Sequence, residues 1–257
     1  MKKKKKATLN DVLKALKLIA KVDLEILDYS KQILNKLEDS SENENGGDNG
    51  NGNNQMPIVD FRFGELYYTN DFLQVNNPSV AAALTEAFQQ LDLNASNDQK
   101  VEVLADYIKR KYQYPFMVDE TPSCGGYFLR YQKDSKFRDF HWRAIRDYMW
   151  SFPAECIVQG YGICIDTSNL AFSLLKMAGV PAKVCLGAVY ETKSNQLLGY
   201  HAWVEVPYKG EQYVLETTIH PDGENLLPAK AVYGKKMDVY YVKEAEYDEK
   251  NYREIKS

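Results

Sequence analysis

Histidine and cysteine are scarce in this chain: its 257 residues hold three of the first and four of the second. Cys124, Cys156, Cys164 and Cys185 show neither the dense spacing of a disulfide framework nor a CxxC metal pattern. Thiols in a reducing compartment are the simpler expectation. There is no Walker motif, no dinucleotide glycine loop and no credible metal-ligand set, so no cofactor and no metal are expected. No apolar run reaches the roughly 18 residues that a membrane-spanning helix needs. The formal net charge of -4 argues against nucleic acid as the main partner. The opening MKKKKK resembles the n-region of a signal peptide. The ATLNDVLKALKLIAKVD after it is broken by charges and forms no apolar h-region, so a cytoplasmic location is expected.

What is present divides into three parts. Residues 1–37 hold an amphipathic, coiled-coil-like helix over 8–37. Val12, Ile19, Ile26 and Ile33 recur every seven residues, with Leu13, Ala20, Leu27 and Leu34 beside them. Such a helix can dock on its own domain, self-associate or bind a partner helix, or lie on a membrane surface through its leading lysines. Residues 38–55, EDSSENENGGDNGNGNNQ, have nothing to bury and read as a disordered linker. From Met56 to residue 257 the composition is that of a globular domain.

Within that domain NPSVAAALTEAFQQL and SNDQKVEVLADYIKRKYQY read as helices, the second capped by Ser96 or Asn97. Residues 115–135, with two prolines and SCGGY, read as a loop that could cover a cleft. FRDFHWRAIRDYMWSF reads as a helix ended by Pro153. CIDTSNLAFSLLKMAG is a strong helix with Gly179 as its C′ residue. AKVCLGAVYE, GYHAWVEVPY and EQYVLETT alternate like strands, and DVYYVKEAEY adds a last one. Helices followed by an antiparallel sheet make the fold class α+β.

One stretch joins these elements to chemistry. In QGYGICIDTSN, Cys164 enters a helix behind Gly160 and Gly162. By itself such a cysteine is a small core residue. Helix N-terminal N–H groups also favour a thiolate, the nucleophilic form. A thiol nucleophile needs a histidine to take its proton, and a carboxylate to orient that histidine. His201 lies on the strand HAWVEV and Glu216 on the strand LETT. A hairpin turning near Lys209 puts the two opposite one another. Trp203, two residues from His201 on the same face, reads as packing. Asp166, in the helix's first turn, reads as structural.

At these residues the chain resembles the transglutaminase-like superfamily of the papain-like clan, over roughly residues 96–220. GICID, AGVPAKV, HAWVEV and ETT stand where that family has a cysteine entering a helix, a GiP segment, HAW.E and D.T. The resemblance implies a catalytic triad of Cys164 as nucleophile, His201 as general base and acid, and Glu216 as orienting carboxylate. Glu216 departs from the commoner Asp by one methylene. Gln159, Tyr161 and the Cys164 backbone N–H are candidate oxyanion donors. The implied activity is a peptidase or amidase acting on protein or peptide substrates through an acyl-enzyme. Stand-alone domains of this shape resemble hydrolases more, and some family relatives cut cell-wall peptide cross-links. A protein-glutamine transamidase on the same triad, or a non-catalytic binding domain, are the alternatives.

Overall fold

The computed structural model describes residues 56–62, 65–112, 115–121, 126–132, 140–146, 150–218 and 223–255. The expected helix 8–37 and the linker 38–55 lie outside the described residues. Strands β1 (Ile58–Arg62) and β2 (Glu65–Tyr68) form a hairpin. Its Val59 and Tyr67 pack on a cluster that includes Phe72, Trp150 and Cys164. Arg62 reaches from the hairpin to the Glu155 carboxylate with two contacts of 2.9 and 2.8 Å, and lies 4.5 Å over the Phe152 ring.

Two helices follow, with the caps their sequences announce. In α1 (Pro78–Ala87), Asn77 accepts from the Ser79 N–H and proline holds the first helical position. In α2 (Asn97–Lys111), Ser96 is the cap and exchanges bonds with Gln99 in a capping box. Val101, Leu104, Ala105 and Ile108 form its buried stripe.

The structure departs from two expectations. Residues 115–121 and 126–132 are not loop but the antiparallel strands β3 (Pro115–Thr121) and β4 (Gly126–Gln132). The expected helix before Pro153 is instead β5 (Phe140–Arg146), paired with β4. Phe140, Trp142 and Ala144 alternate with His141 and Arg143, a strand period that pairing with β4 favours over local helix propensity. Pro153 opens a helix rather than ending one: α3 (Pro153–Gln159) carries it at N1.

The helix α4 (Cys164–Met177) is buried along nearly its whole length. It ends in a Schellman motif: the Gly179 N–H bonds the Lys176 carbonyl and the Val180 N–H bonds that of Leu175. Then come β6 (Lys183–Glu191), β7 (Leu197–Tyr208), β8 (Glu211–Leu215), β9 (Leu226–Pro228), the short helix α5 (Ala229–Val232), β10 (Val239–Tyr247) and β11 (Tyr252–Glu254). Their antiparallel sheet has the order β11-β10-β6-β7-β8-β9.

Strand β7 is buried on both faces. Val204 and Val206 pack with Leu104, Ile108, Leu170 and Leu174 of α2 and α4. On the other face Trp203 packs with Val214, Ala229, Val232 and Tyr241. The hairpin β7–β8 turns on Lys209 and Gly210, both at positive φ (50° and 78°), the pattern of a type I′ turn. The Asp98 carboxylate accepts the Lys209 N–H at 2.9 Å and pins this turn to α2.

At Gly187 of β6 the neighbouring backbone comes so close that no side chain fits. A methyl group there would stand 2.0 Å from the Val242 carbonyl oxygen and 3.0 Å from the Trp203 ring. Gly187→Ala should therefore force β10 away from β6 and cost about 1–3 kcal/mol, as overpacked cores do. The check is a urea unfolding curve, with a lowered midpoint and an unchanged slope.

Candidate active site

Cys164 is placed by the turn that precedes it. Gly160 closes α3 in the left-handed region (φ 73°), its N–H on the Cys156 carbonyl at 2.9 Å. Gly162 then passes so near the helix that a Cβ would lie 2.7 Å from the Asp166 Cβ and 3.1 Å from the Cys156 sulfur. Asp166 is fully buried and accepts two backbone N–H groups, Ile163 at 3.0 Å and Ser151 at 2.7 Å. This is the structural role its place in the first turn suggests. It fixes Ile163 as N-cap and Cys164 as the first residue of α4. The first-turn N–H groups have no partner within the helix, and the helix dipole adds to them, so this end of α4 favours a thiolate.

The imidazole and the carboxylate meet inside the sheet. His201 Nε2 and Glu216 Oε2 are 2.8 Å apart, both side chains buried. The route differs from the expected one. Tyr208 faces Glu211 and Val204 faces Leu215, so Trp203, not His201, continues in line with Glu216. Glu216 reaches His201 along the diagonal, a spacing of roughly 7–8 Å between backbones. The extra methylene of glutamate helps it span that distance. Strand β8 ends at Leu215, but the Glu216 N–H still bonds the Asn225 carbonyl at 2.8 Å, which holds its backbone on the β9 side.

The carboxylate is fully supplied with donors. Oε1 accepts the Thr218 N–H at 3.0 Å and the Thr218 hydroxyl at 2.7 Å. Oε2 accepts from His201 and from the Tyr241 hydroxyl, at 2.7 Å. Burial by itself raises the pKa of such a group. The His201 charge and the bonds from His201, Tyr241 and Thr218 outweigh it and hold Glu216 at about 2. Tyr241 is pushed well above its ordinary range, by burial first and by the Glu216 charge next, so it remains a donor.

The two halves of the site are tied together. The Thr167 hydroxyl, in the first turn of α4, meets the Thr217 hydroxyl at 2.8 Å, and Ser168 approaches the same hydroxyl at 3.3 Å. Thr217 is the residue after Glu216. Helix α4 packs across β7, and Cys164 shares a cluster with Ala202, the residue after His201. Gln159 ends α3, its amide oxygen buried. Tyr161 packs against the Cys164 cluster in the loop that enters α4. Tyr241 and Thr217 carried no sequence signal of their own, whereas Thr218 falls on the last position of the ETT motif.

Among the described residues, Cys185, Glu205 and Glu246 hold ligand-type atoms within 4.8 Å of one another. Lys243 already stands there, its Nζ 3.0 and 3.1 Å from Glu205 and 2.7 Å from Glu246. Lys183 and Arg253 also pair with Glu246, at 2.5 and 2.6 Å. The cations satisfy both carboxylates without a metal. Burial, then the Glu205 charge, raises the Cys185 thiol well above its usual range and keeps it unreactive.

Glu216 gives a pH test. Unfolded it titrates near the ordinary 4.5, folded at about 2. Its contribution, a few kcal/mol, is complete above about pH 5 and is lost as pH falls toward 2. Glu216→Gln should be less stable than the parent at pH 6, and the gap should narrow steadily through that acid window in chemical-denaturation curves.

Residues 127–215 match the family model of the transglutaminase-like superfamily core. That segment contains Cys164 and His201 and stops one residue before Glu216. Comparison with curated proteins gives no match. Among solved structures, calcium-bound LapG of Legionella pneumophila is similar at 16% identity and TM-score 0.41, over 74% of this chain and 87% of that one. Its EGTA-treated form gives 15% and 0.41, over 74% and 84%. A candidate cysteine protease from Cytophaga hutchinsonii gives 13% and 0.34, over 69% and 53%. It is the stretch carrying Cys164 and His201 on this α+β framework that is similar to the transglutaminase-like superfamily core.

Proposed function

We propose that Cys164, His201 and Glu216 form the triad of a cysteine-dependent amide-bond hydrolase. The observation that carries this reading is the buried His201–Glu216 pair at 2.8 Å, strapped through Thr217 to the first turn of the helix that Cys164 begins. Glu216 occupies Nε2, so proton exchange with the thiol falls to Nδ1. The thiol proton passes to His201, and the thiolate attacks the carbonyl carbon of the substrate amide. The resulting oxyanion lies over the start of α4, where the Cys164 N–H can receive it. Gln159 and Tyr161 are the nearby side-chain candidates for a second donor. The intermediate collapses as His201 protonates the departing amine, leaving a thioester on Cys164. His201 then takes a proton from water, whose hydroxide oxygen displaces the thiolate and releases the acid.

Whenever the His201 ring is positive in this cycle it faces a carboxylate that stays ionised, so Glu216 stabilises the imidazolium and fixes which nitrogen does the work. Water needs no site of its own. Transfer to an amine needs a second pocket and the exclusion of water. Hydrolysis of a protein or peptide amide is thus the simpler outcome of this geometry, with glutaminyl transfer as the variant the same triad would support.

A thiol-reactive peptide probe on the full chain, read by peptide mass mapping, should label Cys164 well before Cys124, Cys156 and Cys185. Equal labelling would sink the enzyme reading in favour of a binding domain. Cys164→Ala should lower turnover by roughly 10⁴-fold or more. A glutaminyl peptide offered with a fluorescent amine separates the acceptors. Cleavage or ammonia release alone marks hydrolysis, and fluorescence in the peptide marks transfer.

A further inference from the structure

We infer that Tyr241 is the positioning residue that fits a glutamate to the carboxylate place of this triad; the inference rests on the triad reading above. A glutamate side chain has one more torsion than an aspartate, and in this register it reaches His201 diagonally rather than head-on. A longer arm laid along a diagonal needs its far end held. Thr218 holds only Oε1. Among the described residues, Oε2, the oxygen that faces His201 Nε2, is held by Tyr241 besides His201 itself.

The topology shows how the hold is made. Tyr241 lies on β10, two strands from His201 in the order β10-β6-β7. Between them, opposite His201, β6 carries Gly187, which has no side chain to stand in the way. The Tyr241 ring meets the His201 ring edge-on at 5.6 Å and leans on Trp203 at 5.0 Å. The hydroxyl therefore arrives at Oε2 on a ring already fixed by packing. The charged and titratable groups facing it are Glu216 and His201, with Tyr233 and Cys164 acting on it electrostatically. The hydroxyl proton goes to Glu216, at 2.7 Å.

The test is the pH profile of Cys164 alkylation by iodoacetamide on the full chain, quantified by mass mapping. In the parent the profile should reach well below the range of an ordinary thiol, because the imidazolium keeps the thiolate. Tyr241→Phe keeps the ring and removes the hydroxyl. Glu216 then swings, the imidazolium loses its aligned anion, and alkylation at pH 6 should slow about tenfold with little change at pH 9. Glu216→Asp should do the same, since the shorter arm cannot serve both His201 and Tyr241. Tyr240→Phe, which loses only a hydroxyl bonded to Asn195, should track the parent.

A Tyr241→Phe profile that overlays the parent, with only a lowered unfolding midpoint, would overturn the inference. So would a Glu216→Asp chain with the parent's profile, a result that decides the matter even if Tyr241→Phe fails to fold. An ordinary thiol profile in the parent itself would instead bring down the triad reading.

Discussion

A carboxylate enclosed by protein is tolerable only when its charge is answered, and the structure around Glu216 is an answer to that constraint. Four donors from three parts of the chain converge on it: Thr218 twice, His201 and Tyr241. The type I′ turn at Lys209 and Gly210 sets the register, Asp98 pins the turn, and α5 closes the face where Trp203 and Tyr241 lie. A buried ion pair gains little net stability over well-packed apolar groups, while breaking one is costly. What the arrangement secures is a carboxylate held ionised beside an imidazole, the pairing on which the proposed function rests.

The Cys164 side depends on a second buried carboxylate used in another way. Asp166 accepts backbone N–H groups on both its oxygens, so it organises the helix start. Gly162 belongs to the same device, because any side chain there would strike Asp166. The hydroxyls of Thr167, Ser168 and Thr217 join this unit to the sheet. Thiol and imidazole are thereby set by separate local rules, a capped helix and a hairpin, and joined by one small polar strap.

Much of this was legible in the residues because it is local. Asn77 and Ser96 cap as their side chains dictate, Gly179 ends α4, and the glycines before Cys164 mark a close approach. The pairing of His201 with Glu216 followed from strand alternation and a turn near Lys209. The register itself was misplaced by one residue in the turn, since Lys209 and Gly210 are both in the left-handed region and move the centre of the hairpin along. Residues 140–146 were misread because a strand period and a helix period coincide over so few positions, and pairing with β4 decides between them. Tyr241 was invisible for a different reason. Its meaning depends on β10 lying beside β6, a contact between segments some fifty residues apart that no local pattern encodes.

The strap between the two halves also has a cost in chain entropy that differs for each member of the site. His201 and Glu216 are 15 residues apart, Tyr241 and Glu216 25, and Thr167 and Thr217 50. Closing a loop costs more as it lengthens, by about 0.6 kcal/mol for each doubling. The His201–Glu216 pair is thus the cheapest part to assemble, a single hairpin with a two-residue turn. The tyrosine brace comes next, and seating the cysteine helix against the pair closes the longest loop of the three. In order of loop closure, the site builds outward from the Glu216 carboxylate, and Cys164 takes its place against a pair already set by shorter-range contacts.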